Sequence, residues 1–400
     1  MSTRWLSLVG IGEDGREGLS RNALAALDGA AMVVGGKRHL ALAAPLPCET
    51  MAWPSPIEQA MPKILARRGT PVAVLATGDP FHYGIGTMLS QHVAPSEIAS
   101  FPQPSAFSLA ASRLCWALQD VACVSLHGRD ERGLLRHLAS GRRMLVLSWD
   151  GGTPARVAEM LRERGFGASR LIVLEAMGGA RERVRETTAA TFDLADVDPL
   201  NTIAVKCEGL GDRTLSRACL PDDAFEHDGQ ITKQNIRAVT LAALAPRGGE
   251  LLWDIGAGSG SVTIEWLRAD PRNRAIAIES KPERATRIGR NAARCGVSVE
   301  VVEGKAPDIL TDLPTPEVVF VGGGVSEPAV MDRALDALRS GGRLVANAVT
   351  IEAQSNLMRL YEKHGGELVL LQHAQTAPVG RFSGWRSAMP VVQWRWTKPA

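Results

Sequence analysis

The run Leu251-Leu252-Trp253-Asp254-Ile255 is followed by alternating glycines, Gly256, Gly258 and Gly260, and then by the helix-like stretch Ser261 to Glu265. A strand that folds back sharply into a helix with a ligand pressed against the turn needs residues without a Cβ. The next apolar run, Ala275 to Ile278, ends at Glu279, where a carboxylate can accept both hydroxyls of a ribose. A dinucleotide fingerprint would put its third glycine at position 261, but that residue is Ser261 and the glycine comes one place early. The departure favours S-adenosylmethionine over a nicotinamide dinucleotide. Gly256, Ala257, Gly258, Ser259, Gly260 and Glu279 are the expected cradle, set against the plainer reading of a glycine-rich turn with no ligand.

Other chemistry-bearing residues are scattered. In the first half, the apolar run Val72 to Leu75 leads into Gly78-Asp79-Pro80. Gly78 permits a close backbone approach, Asp79 can cap a turn or bind a donor, and Pro80 stiffens the loop, as in any Asp-Pro turn. In Ser125-Leu126-His127-Gly128-Arg129, His127 reads equally as a turn residue or a substrate contact, and Arg129 suits a carboxylate. Thr232 is placed to cap a helix with apolar positions Ile236, Val239, Leu241 and Leu244. The run Val318 to Val321 ends in Gly322-Gly323-Gly324, with no side chain to orient an exocyclic amine, which argues against a DNA base as acceptor. Arg381 and Arg386 flank Phe382 and Trp385, a pattern open to an RNA patch, a folded hairpin or a site for a flat polycarboxylate. The last is preferred among the ligand readings.

The elements that must position these residues follow from the alternation of short apolar runs with amphipathic segments, which signals α/β layers with parallel-rich sheets. Expected strands include Trp5 to Val9, Met32 to Val34, Met144 to Leu147, Leu171 to Leu174, Ile203 to Val205, Val299 to Val302 and Arg343 to Ala346, besides the runs above. Pro154 to Arg164, with Val157, Met160 and Leu161 on one face, is a sample helix. The chain has 400 residues, 45% of them hydrophobic and 22% charged, enough for two or three soluble domains. Its 45 basic and 43 acidic residues leave a net charge of +2, which gives no support to a nucleic-acid partner. Six cysteines without metal spacing read as reduced packing residues, and no metal is expected. The absence of a long apolar run or signal-peptide core places the chain in the cytoplasm, without membrane contact.

Gly209 to Gly229 breaks the periodicity and separates an expected domain at 1–208, through a linker at 209–227, from a second at 228–400. The first domain resembles the tetrapyrrole methylase family, through Val9-Gly10-Ile11-Gly12, Gly78-Asp79-Pro80, Pro102-Gln103-Pro104-Ser105-Ala106 and Glu175-Ala176-Met177-Gly178, although the family's glycine is Gln103 here. Ser125 to Arg129 and Glu175 to Gly179 narrow the resemblance to the branch that methylates precorrin carbons in cobalamin synthesis. The second resembles the decarboxylating precorrin methyltransferase family, whose D-G-x-x-T-K segment matches Asp228 to Lys233. The paired resemblance implies a two-lobed methylase fold followed by a class I Rossmann-like fold, with S-adenosylmethionine at one site in each. Gly78, Asp79, Pro80, Ser105, Ala106 and Met177 would hold it in the first domain. In the second, Thr232 and Ala306 join the glycine cradle and Glu279.

The implied substrate is a tetrapyrrole, methylated at ring carbons 5 and 15 and decarboxylated at the acetate on carbon 12. Its carboxylates would meet His127, Arg129, Lys233, Arg237, Arg381 and Arg386. A homo-oligomer is also implied. Two other readings are an RNA methyltransferase and a non-catalytic scaffold that binds S-adenosylmethionine.

Overall fold

The computed structural model describes residues 4–211 and 219–399. The chain divides into two compact units, Met1–Glu131 with His137–Gly211, and Arg132–Arg136 with Asp212–Ala400. The expected linker is only partly a linker. Residues 212–218 lie outside the described residues, but Leu220, Ala224 and Phe225 are buried in a cluster with Ile264, Ala292 and Cys295 of the second unit.

The first unit holds two five-stranded sheets. Strands β1 (Leu6–Ile11), β2 (Met32–Gly35), β3 (Glu49–Ala52), β4 (Val72–Thr77) and β5 (Ile98–Phe101) form an all-parallel sheet in the order β3-β2-β4-β1-β5. The apolar runs of β1, β2 and β4 are buried, as a sheet covered on both faces requires. The second sheet contains β6 (Val121–Ser125), β7 (Arg143–Leu147), β8 (Arg170–Glu175), β9 (Arg183–Thr188) and β10 (Asn201–Lys206), in the order β6-β7-β10-β8-β9. Only β6 and β7 pair in parallel; the other three pairings are antiparallel, against the expectation of parallel-rich sheets. Two of these come from β10, which is inserted antiparallel between β7 and β8, and the third from β9, a polar edge strand that folds back on β8. Its Arg183 and Arg185 both bond the Glu175 carboxylate, whose side chain is buried at the end of β8. Burial pushes Glu175 up, but the hydrogen bonds from Arg183, Asp198 N and Arg185 prevail and hold it below the usual carboxylate range.

In the second unit, β11 (Leu251–Ile255), β12 (Arg274–Glu279), β13 (Glu300–Glu303), β14 (Val318–Val321) and β15 (Arg343–Ala348) run parallel. Two antiparallel strands, β16 (Glu367–Leu371) and β19 (Val391–Thr397), complete a seven-stranded sheet in the order β13-β12-β11-β14-β15-β19-β16. Between them β17 (Ala374–Val379) and β18 (Phe382–Ser387) form a separate, largely exposed hairpin. Leu251, Trp253 and Ile255 enter one core cluster and Leu252 the opposite one, so the sheet is packed on both faces. Fully buried Trp253, Trp266 and Trp394 are the largest core side chains, each worth roughly 3–5 kcal/mol against truncation to Ala. No helix among the described residues is long and apolar enough to cross a membrane. None of the six cysteines, all among the described residues, forms a disulfide.

Candidate active sites

In the first unit the separated motifs converge. Gly78 follows β4, its N–H donating to Ile11 O of β1 at 3.2 Å, while its carbonyl accepts from Gln103 N at 3.1 Å. A Cβ at Gly10 would overlap Gly78 O, and one at Gly78 would lie 2.8 Å from Pro104 O. Both glycines are therefore required by the meeting of three backbone segments, and Gly78 has φ +59° besides. Gln103, the departure from the family pattern, fits here by extending its side-chain amide to Gly18 O at 2.6 Å. The helix Ala106–Leu114 starts from Ser105, whose Oγ accepts from Ser108 N at 3.2 Å.

Gly78, Ser105, Ala106 and Met177 line a cavity of about 770 Å³, together with His127 and Arg129. Asp79 and Pro80 do not line it. Asp79 accepts from Phe81 N at 2.8 Å and buried Pro80 accepts from Gly86 N at 2.8 Å, so this pair shapes the loop that presents Gly78. His127 stacks on half-exposed Trp149 with ring centroids 5.5 Å apart, and the Arg129 guanidinium sits 5.0 Å from the centroid of Tyr83. Tyr83 has φ +59°, a left-handed backbone that costs a side chain of this kind about 1–2 kcal/mol.

The same cavity holds an arrangement the sequence reading missed. Arg38, ion-paired with Glu13, donates from Nη2 to His39 Nε2 at 3.1 Å, and that nitrogen lies 2.8 Å from Thr77 Oγ1. A guanidinium can only donate, so His39 is an acceptor at Nε2 and carries its proton on the buried, unpartnered Nδ1. Burial, and next the Arg38 charge, lower His39 to about 4. The available signal was Gly35-Gly36-Lys37-Arg38-His39, a basic cluster just beyond the end of β2.

The second cavity, of about 610 Å³, opens at the carboxyl ends of the parallel strands. The three cradle glycines serve different purposes there. A Cβ at Gly256 would lie 2.6 Å from Gly323 Cα, so this glycine lets the ends of β11 and β14 touch. A Cβ at Gly260 would lie 2.8 Å from Ile288 Cγ2, so that one admits the helix Pro282–Arg294. At Gly258 a Cβ would find only Gln230 O at 3.6 Å. Only Gly258 leaves open space toward the cavity, which Gly256 and Ala257 also line.

Ser259 and Gly260 are absent from the cavity wall, a correction to the expected set. Ser259 is buried and its carbonyl accepts from Asn291 Nδ2 at 2.9 Å. Glu279 accepts from Gly258 N at 2.9 Å and Lys281 N at 3.0 Å, which fixes its carboxylate at the end of β12. Beneath the cradle, Asp254 accepts from Thr263 N and Oγ1 at 3.2 and 2.5 Å, yet burial pushes it up to about 6.

Thr232, Lys233 and Ala306 line this cavity as well. Thr232 is not the helix cap. Helix Gln234–Leu244 begins after Lys233, without a side-chain cap, and Thr232 O instead accepts from Arg237 Nη1 at 2.6 Å. The preceding loop is anchored by Asp228, which bonds Arg284 Nε at 2.8 Å and Gln230 N at 3.1 Å; chiefly Arg284 holds its carboxyl well below the usual range.

Three expected substrate residues are not brought into the cavity. Arg237 is fully buried, bonding Glu265 at 2.8 Å, Asp222 at 3.2 Å and Leu220 O, with its guanidinium 4.8 Å from the Phe225 ring centroid. With the bond to Thr232 O, four of its donors are held by the protein, so it ties the domain together instead of meeting a substrate. Arg381 and Arg386 belong to the exposed hairpin, where Arg381 stacks over Phe382 at 5.0 Å. Among the open readings of that segment the backbone is a folded hairpin, and neither arginine reaches the cavity wall.

A glycine-padded cavity in each α/β unit is the arrangement of a two-domain methyltransferase. Residues 6–193 match the family of Tetrapyrrole (Corrin/Porphyrin) Methylases, and residues 223–398 the Precorrin methyltransferase domain. The chain is 54% identical over 398 residues to a precorrin-6Y C(5,15)-methyltransferase [decarboxylating] of Sinorhizobium sp, covering 98% of this chain and 96% of that one. The chain belongs to the precorrin-6Y C(5,15)-methyltransferase (decarboxylating) family.

Other relatives match part of it. A cobalt-precorrin-7 C(5)-methyltransferase of Salmonella typhimurium is 32% identical, over 45% of this chain and 88% of its own length. A probable cobalt-precorrin-6B C(15)-methyltransferase (decarboxylating) of Pyrobaculum calidifontis is 38% identical, over 34% of this chain and 71% of its own length.

Proposed function

We propose that the chain methylates ring carbons 5 and 15 of precorrin-6Y and decarboxylates the acetate on carbon 12, using two separate S-adenosylmethionine sites, one per domain. The observation that carries this reading is the pair of cavities, each lined by residues expected to hold the cofactor. In the first, Gly78, Ser105, Ala106 and Met177 would hold it, and His127 and Arg129 would meet substrate carboxylates. In the second, Gly258 leaves it room, Glu279 would accept the ribose hydroxyls, and Ala306 would lie beside the adenine. Lys233 is the basic residue on that wall suited to a substrate carboxylate.

S-adenosylmethionine supplies a methyl group on a sulfonium, which is already strongly electrophilic. The protein's part is then to place a conjugated carbon and exclude water, and proximity of this kind is worth roughly 7–11 kcal/mol. That demand needs no activated serine or cysteine. Assignment of the carbon-5 step to the first domain, and of the carbon-15 step with decarboxylation to the second, follows the resemblance. The proposal includes a homo-oligomer in the cytoplasm, and light scattering of the full chain measures its size.

The test is mass spectrometry after incubation with precorrin-6Y and S-adenosylmethionine. The expected product has gained two methyl groups and lost one carbon dioxide, and calorimetric titration should count two cofactor equivalents per chain. No gain of methyl mass would end the proposal.

A further inference from the structure

Decarboxylation leaves one requirement without a residue. When the acetate carboxylate departs, its C–C bond breaks, the electron pair passes into the conjugated macrocycle, and a proton must reach the remaining methylene carbon. The order of strands divides the second cavity into two flanks. Gly258, Glu279 and Ala306 lie at or just past the ends of β11, β12 and β13 on one flank, while Gly323, Asn347 and His373 lie at or just past the ends of β14, β15 and β16 on the other. Since the expected cofactor residues gather on the first flank, the second faces the substrate.

The charged groups around the cavity are engaged, and so is Asn347. Asn347 donates to Thr240 Oγ1 and accepts from Gln393 Nε2, both at 2.9 Å. Glu327 pairs with Lys305 at 3.5 Å, Lys233 lies 3.8 Å from Asp222, and Arg284 bonds Asp228. Both oxygens of Glu279 accept backbone N–H groups. His373 differs. Among the described residues neither of its ring nitrogens has a partner; Nδ1 is buried, and Nε2 is the nitrogen left accessible. An orphaned buried nitrogen destabilises a fold, which is tolerated where function requires it. Imidazole is also the side chain most often used for general acid–base chemistry.

We propose that His373 is the proton donor for the decarboxylation. Its imidazolium gives the Nε2 proton to the methylene carbon as carbon dioxide leaves. The ring is left neutral with its proton on Nδ1, and water restores the second proton. This inference rests on the reading of the second cavity as the decarboxylating site.

The experiment uses the full chain with precorrin-6Y and S-adenosylmethionine, comparing wild type with His373→Asn and His373→Gln. Both variants should add two methyl groups and release a product heavier than the wild-type product by one carbon dioxide, with decarboxylation slowed on the order of 10²-fold. Titration of the cofactor on the same samples verifies the folded second domain, and the Gln variant preserves much of the side chain's bulk. Wild-type decarboxylation in either variant overturns the assignment. Equal loss of carbon-15 methylation and decarboxylation with cofactor binding intact overturns it too, because His373 would then only shape the wall. If wild type itself keeps the carboxyl, it is the function proposed for the cavity that fails.

Discussion

Replacing the cradle glycines one at a time separates packing from ligand binding. Gly258→Ala puts a methyl where the nearest protein atom is 3.6 Å away, so the protein bears only the cost of a left-handed alanine at φ +60°, about 1–2 kcal/mol. Gly256→Ala bears a similar cost at φ +72° and also drives its Cβ to 2.6 Å from Gly323 Cα and 2.7 Å from Gly323 N. Backbone cannot swing aside as a side-chain tip can, and overpacking of this kind adds roughly 1–3 kcal/mol. At about 2–4 °C per kcal/mol for a domain of this size, Gly256→Ala should lower Tm by clearly more than Gly258→Ala.

Cofactor affinity should show the reverse order. A methyl at 258 enters the cradle itself, and the same overpacking energy applied to the ligand corresponds to a loss of roughly 5- to 150-fold. The larger Gly258→Leu should abolish the site and carbon-15 methylation while sparing carbon-5 methylation, so that calorimetry counts one equivalent of S-adenosylmethionine instead of two. If Gly258→Leu still bound two equivalents, or if Gly256→Ala weakened binding with no loss of Tm, the division of labour among these glycines would be wrong.

Other perturbations have definite signs. Arg237→Ala leaves Glu265 buried without its cation and should destabilise the second domain by about 3–5 kcal/mol in denaturant titrations. His39 has a folded value near 4 against an ordinary 6.5, so the unfolded chain binds the extra proton between those limits. Acidification through that window should therefore remove up to about 3 kcal/mol from the first domain. Asp254 is raised from 3.8 to about 6, so its native state binds the extra proton, and the second domain should gain up to about 3 kcal/mol as pH falls through its window. Thermal scans across pH would show these opposite slopes, and His39→Gln and Asp254→Asn should each flatten one. Since the hairpin arginines lie off the cavity wall, Arg381→Ala with Arg386→Ala should move the substrate KM by less than about 2-fold, within the few tenths of a kcal/mol expected of such surface changes.

The central parallel strands were legible because they are apolar runs buried on both faces, as with Val318–Val321 and Leu251–Ile255, whereas the edge strands β3 and β5 of the first sheet, partly exposed, were not. Strand β9 was not legible, since Arg-Val-Arg-Glu-Thr-Thr is polar and pairs through an edge that no local pattern announces. The cradle's location was readable, but the role of each glycine depends on Gly323 and Ile288, far along the chain. Arg237 was expected to meet a substrate carboxylate from the start of a helix. Only its approach to Glu265, 28 residues on, shows it to be part of the interior. His373 carries no motif at all, and its lack of partners emerges only from the surroundings of Nδ1.

The place of β19 in the sheet has a consequence for assembly. It follows β16 in sequence yet lies between β16 and β15, so β16 has no neighbour on the main sheet until β19 is inserted. The edge that leads to His373 can therefore join the sheet only through β19, whereas β11 and β12 pair with each other directly. Damage to β19, for instance at buried Trp394, would loosen that edge first. An enzyme weakened there would still hold its methyl donor while failing at the step that releases carbon dioxide.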